Sequence, residues 1–189
     1  MTKKRRITFN SPVVLSFVII SLGVMVADML TLGASTKMLF LTYHSSLASP
    51  LTYVRFFTHV LGHAGWSHYI GNMMYMLLLG PMLEEKYGSR AIIEVILITG
   101  LVTGLVNWFL FPGMALCGAS GVVFAFIMMT SFTSFKEGEI PLTVILVAII
   151  FIGQQVYEGV FIQDNISNMA HILGGIIGAM AGYTLNKKE

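Results

Sequence analysis

The sequence predicts an all-α protein, a polytopic bundle of six transmembrane helices forming one membrane domain over residues 1–189. Three observations predict it. Hydrophobic residues fill 56% of the positions, against roughly 45–50% in ordinary globular chains. Charged residues fall to 11%, where about 25% is usual. Six apolar runs are bounded by charge, proline or polar clusters, and a spanning helix needs about 20 mostly apolar residues. The composition also excludes other classes. A formal net charge of +2, with eleven Lys and Arg in short clusters, offers no basic face to nucleic acid. A single cysteine, Cys117, allows no internal disulfide, so the chain is not a stapled secreted module.

The first run, 11–32, follows a basic leader, Lys3 to Arg6, but it is long and no small-residue cleavage site follows, so it reads as a retained span. The second, 68–83, is short by count, and extends inward through Glu84 and Glu85 only if those carboxylates reach the headgroups. The others cover 91–111, 116–135, 140–157 and 168–185. Orientation follows from the basic residues, which concentrate on the cytoplasmic side. With the N-terminus inside, the inner segments hold Lys3, Lys4, Arg5, Arg6, Lys86, Arg90, Lys136, Lys187 and Lys188, and only Lys37 and Arg55 lie outside. Both termini are then cytoplasmic and the long loop 33–67 is outside. It carries Phe40, Tyr43, Tyr53, Phe56, Phe57 and Trp66, of the kind that settle at a membrane interface or simply anchor an outer loop.

A polar side chain inside a span costs free energy and by default faces the bundle interior or a cavity. The informative ones are His68 and Asn72 on span two, Ser120 on span four and His171 on span six. All three spans run from outside to inside, and these residues lie near their starts. At about 1.5 Å of rise per residue, Ser120 and His171 sit about one turn below the outer helix ends. His68 and Asn72 are four apart and share a helix face. Hydrogen-bonding side chains from three helices thus fall in one shallow outer layer.

Each also has a plainer reading. A serine among small residues packs helices together, and a lone histidine bonds a neighbouring helix. The flanking glycines favour chemistry. Gly118-Ala119-Ser120-Gly121 opens span four, where unpaired backbone N–H groups and the positive end of the helix dipole suit a developing oxyanion. Serine is weakly nucleophilic at neutral pH, and His171 supplies a general base. Asp28, Glu158 and Asp164 lie at the end of a span or in a loop, so the expectation is a Ser–His dyad. Gly174 and Gly178 follow His171 by three and seven residues on one face, and Gly121 and Ala125 adjoin Ser120. Small residues on both helices predict close backbone approach.

These residues together resemble the rhomboid intramembrane serine proteases, from about Arg55 to Gly178. Gly118-Ala119-Ser120-Gly121 looks like the family's GxSG motif, and Ala170-His171 with Gly174 and Gly178 resembles its AHxxGxxxG motif. His68 with Asn72 matches the HxxxN pair, and His63 a further histidine upstream. Arg55 resembles the arginine of the first-loop WR pair, with Val54 replacing the tryptophan, and Glu84 with Gly88 matches the acidic and glycine positions at the inner end of span two. Phe124 stands where the family usually has a tyrosine stacked on the base, so the ring survives and the hydroxyl is lost.

The resemblance implies a minimal six-span, multi-pass protein of the bacterial inner membrane that cuts transmembrane segments of protein substrates within the lipid bilayer. Ser120 would be the nucleophile and His171 the base. The Ser120 N–H, His68 and Asn72 would stabilise the oxyanion, with Gly118, Gly121, Phe124, Gly174 and Gly178 in support. No metal, cofactor or nucleic acid is implied. Substrate would enter between spans two and five, with Phe151, Tyr157 and Phe161 as gate candidates or plain core and lipid-facing residues. Three rival readings stand beside this one. The first is a non-proteolytic relative that binds transmembrane clients, although such relatives lose Ser or His. The second is a metal site on His59, His63 and His68, although position 60 is valine and no HExxH motif forms. The third is a small transporter, although neither half-helix breaks nor a continuous polar stripe is present.

Overall fold

The computed structural model describes residues 8–133, 139–161 and 165–186, in which every regular element is a helix. The basic leader, Lys136, Asp164, Lys187 and Lys188 lie outside the described residues, as do the side chains of Glu158 and Phe161. The helices are α1 (Pro12–Leu30), α2 (Ala34–Leu39), α3 (Pro50–Thr58), α4 (Trp66–Leu110), α5 (Ser120–Ser131), α6 (Leu142–Phe161) and α7 (Asn165–Asn186). Among the described residues, α1 and α4 are long and apolar enough to cross a membrane by length and composition. Prolines open α1 and α3, where the missing N–H would have had no helical partner.

The expected spans 68–83 and 91–111 form one helical stretch of 45 residues interrupted at Gly88, whose φ of 82° and ψ of 155° suit a residue without a Cβ. The break divides α4 into limbs 66–87 and 89–110. Their far ends both return to the first loop: Tyr69 lies 5.5 Å from His63, and Trp108 stacks on His44 at 4.5 Å. The limbs are therefore antiparallel neighbours. The first limb does reach past Glu84, but not by sending that carboxylate to the headgroups. Glu84 is 5% exposed. It accepts the N–H groups of Val13 (3.0 Å) and Val14 (3.1 Å) and the hydroxyls of Ser89 (2.6 Å) and Ser11. The orphan donors at the start of α1 are thus capped by a carboxylate from another helix, which also suits the helix dipole.

α5 is shorter than the expected 116–135, because residues 111–119 descend as a loop tied to the outer segment by paired hydrogen bonds between Thr42 and Leu116 (3.0 and 2.9 Å). Two depths change with it. Ser120 is the first residue of α5, whereas His171 lies six residues into α7, about 9 Å along its axis. Val122, Ala125, Phe126 and Met129 of α5 are fully buried beside Met76, Leu83 and Ile92 of α4. α7 packs on α5 through glycine. A methyl group at Gly174 would overlap the carbonyl oxygen of Gly121, and one at Gly178 would lie 2.6 Å from the Ala125 Cα. The close approach predicted from the small residues is present.

The first loop holds α2, α3 and a single 3-10 turn, His59–Leu61. Its aromatic residues divide. Tyr53, Phe57 and Trp66 are exposed, but Phe56 is buried edge-on to Trp108 and so belongs to the core.

Candidate active site

The residue that opens α5 is placed by the loop before it. Gly118 adopts φ 130°, and a methyl group there would lie 2.6 Å from the His68 ring, so a left-handed backbone and a close aromatic neighbour both require glycine. Its N–H donates to the His59 carbonyl at 2.9 Å. The next N–H, of Ala119, donates to His63 Nε2 at 3.5 Å. Ala119 is the N-cap, and its carbonyl accepts the N–H of Val123 at 2.9 Å.

Ser120 then borders a cavity of about 460 Å3 between the first limb of α4, α5, α6 and α7. His68, Asn72, Phe124 and His171 line the same cavity. The structure therefore brings together the four polar residues singled out from the sequence. The Phe124 ring lies 4.3 Å from that of His171, centroid to centroid, and 4.6 Å from that of Phe151. Asn72 is 7% exposed, and its Nδ2 has no hydrogen-bond partner among the described residues. The amide donor is therefore open to a partner inside the cavity.

Gln154 also lines the cavity, from α6, and was missed in the sequence. The signal was available: it is an amide beside a long apolar run, the same anomaly that drew attention to Asn72. Of the gate candidates, Phe151 is buried between Phe124 and Gly175, which makes it core, whereas Tyr157 is exposed.

The upstream histidines serve the scaffold. His59 points Nδ1 at the Arg55 carbonyl (3.1 Å) and Nε2 at the Thr103 hydroxyl (3.2 Å), so its nitrogens are occupied away from His68. Among the described residues no three His, Cys, Asp or Glu side chains converge as metal ligands. Burial pushes the His59 imidazole down to about 4, against its bonds to the Arg55 and Phe56 backbone. Burial and then the neighbouring His68 push His63 down to about 4, against its bond to Leu61. Arg55, 5% exposed, donates through Nε to the Leu51 carbonyl (3.0 Å) and lies 4.4 Å over the Tyr43 ring. That cation–π contact holds the first loop together.

A helical scaffold with a serine, a histidine packed against a phenylalanine ring and a buried amide donor around one cavity fits a class of membrane protein, and similarity to known proteins gives it a family. A family model described as Rhomboid domain matches residues 50–188. The chain belongs to the rhomboid family and is an integral membrane protein. It is 26% identical over 184 residues to rhomboid-like protein 11, chloroplastic, of Arabidopsis thaliana, covering 90% of this chain and 64% of that protein. It is 33% identical over 162 residues to rhomboid-related protein 2 of Mus musculus, covering 74% and 53%. It is 27% identical over 162 residues to the rhomboid protease GlpG of Salmonella newport, covering 84% and 58%. The chain thus spans 53–64% of the length of these relatives. The family contains serine proteases and also inactive relatives.

Proposed function

We propose that the protein is an intramembrane serine endopeptidase that cleaves transmembrane segments of membrane proteins near the outer face. In this reading α1, the two limbs of α4, α5, α6 and α7 make six crossings, with both termini cytoplasmic in a bacterial inner membrane. The observation that carries it is the shared cavity: Ser120 and His171 border it together, and so does Asn72, whose Nδ2 has no partner among the described residues.

Ser120 Oγ attacks the scissile carbonyl while His171 takes its proton, which requires the two to meet at roughly 2.6–3.2 Å. His171 passes that proton to the leaving amine, and an acyl group remains on Ser120 until water hydrolyses it. The Ser120 N–H, Asn72 Nδ2 and the His68 ring stabilise the oxyanion, a contribution of about 3–4 kcal/mol per donor. Phe124 lies against the His171 ring and restricts its rotation. A substrate helix satisfies its backbone internally, so it must unwind before cleavage, and helix-breaking residues ease that step. Tyr75 on α4 and Gln154 on α6 both border the cavity, which fits entry of substrate between those helices.

The test is fluorophosphonate labelling, together with cleavage of a model single-span substrate, in detergent and with chelator present. Wild type should label and cut, and Ser120→Ala and His171→Ala should do neither. Robust cleavage by Ser120→Ala ends this reading.

A further inference from the structure

Ser120 is the first residue of its helix, so its position depends on the residues just before it. A helix interior is held by its own hydrogen bonds, but its first turn is not. Here the segment leading into that turn is held from outside. Leu116 is paired with Thr42, Gly118 donates to the His59 carbonyl, and Ala119 donates to His63. The first two acceptors are backbone carbonyls that any side chain would supply. The third is a side chain, and its chemistry is restricted.

His63 is 1% exposed, and both its ring nitrogens are committed. Nδ1 lies 3.2 Å from the Leu61 carbonyl, an oxygen that only accepts, so Nδ1 carries the proton. Nε2 is then a lone-pair nitrogen, which faces the Ala119 N–H at 3.5 Å, the long end of a hydrogen bond. The imidazole is thereby fixed as one tautomer between two backbone groups. Its ring is held edge-on to His68 at 5.1 Å and to Tyr69 at 5.5 Å. Ala119 is fully buried, so a lost acceptor leaves its N–H unsatisfied and the lead-in to α5 prone to open.

We propose that His63 is a positioning residue for the nucleophile: as the Nδ1–H tautomer it grips the Ala119 amide and so sets where Ser120 enters the cavity. It touches no substrate and transfers no proton. The inference rests on the serine protease reading for its kinetic consequence, but the grip itself is independent of that reading. Burial keeps the imidazole uncharged at neutral pH, as the grip demands.

The test compares wild type with His63→Gln, whose Oε1 can accept the Ala119 N–H, and His63→Leu, which keeps the bulk and cannot accept. His63→Leu should lower kcat on the order of a hundredfold, the usual effect of a displacement of about 1 Å at a reacting atom, and leave KM nearly unchanged. His63→Gln should recover kcat to within about tenfold of wild type. Hydrogen exchange at the Ala119 amide should be slow in wild type and His63→Gln and fast in His63→Leu. Full activity and slow exchange in His63→Leu overturn the proposal, as does a folded His63→Gln no better than His63→Leu. Nitrogen-15 spectra of histidine-labelled wild type decide the matter even if His63→Leu does not fold: a protonated Nε2 on His63 overturns the grip. If wild type neither labels nor cuts, the protease reading fails, and the tautomer and the Ala119 exchange still decide the grip.

Discussion

α7 and α6 both pack against α5, and they do so in opposite ways. α7 meets it backbone to backbone, with Gly174 on Gly121 and Gly178 on Ala125, leaving no room for even a methyl group. α6 meets it through side chains, Phe151 on Phe124 above all, while Ile145, Ile149, Ile150 and Ile152 face outward. In a membrane, where lipid gives no hydrophobic drive, contact between small residues is the usual way to fix two helices together. Ser120 and His171, the proposed nucleophile and base, thus sit on the fixed pair. The wall through which substrate would come is the looser one.

Variants can break or sharpen that contrast. Ser120→Ala and His171→Ala should each lower kcat by about 10⁴-fold or more without unfolding the protein, since both act in one unit; single-turnover cleavage and thermal melting measure this. Asn72→Ala should follow, with a loss of about 10²–10³ in kcat, as its proposed role as one oxyanion donor among several requires. A loss equal to that of His171→Ala would contradict the division of roles.

Gly174→Val should cost on the order of a hundredfold by forcing α5 and α7 apart, with a lowered melting temperature. Gly153→Val is its control, because a methyl at Gly153 meets nothing within 4 Å. Near-wild-type activity in Gly174→Val would remove the rigid-pair account. Phe151→Ala should lower stability by about 3–5 kcal/mol as a buried ring is lost, yet slow turnover less than Gly174→Val, about tenfold at most. Ile149→Ala, on the outward face of α6, should change stability by less than about 0.5 kcal/mol. A large effect there would show that α6 is packed as firmly as α7.

Much of this was legible in the sequence, for a physical reason. Membrane burial penalises every polar side chain, so the few that persist stand out, and His68, Asn72, Ser120 and His171 do line one cavity. Small-residue spacing likewise foretold the α5–α7 contact. Their depths were legible only in outline, because hydropathy counts residues without distinguishing helix from the loop 111–119 that leads into α5. Glu84 was misread since its partners, the α1 N–H groups, lie about seventy residues away in the chain. The helices of the first loop were not foreseen, and Phe56 shows why: an aromatic side chain beneath Trp108 and one at a membrane interface look alike in sequence.

Gly88 carries a consequence for topology. A continuous helix of 45 residues would measure about 67 Å, more than twice the roughly 30 Å hydrocarbon layer. Such a rod would emerge on the far side instead of folding back. In the six-crossing arrangement, one residue with backbone angles suited to glycine decides which compartment receives everything made after it. In that arrangement, straightening the corner would put Ser120 and His171 at the opposite leaflet with their sequence unchanged.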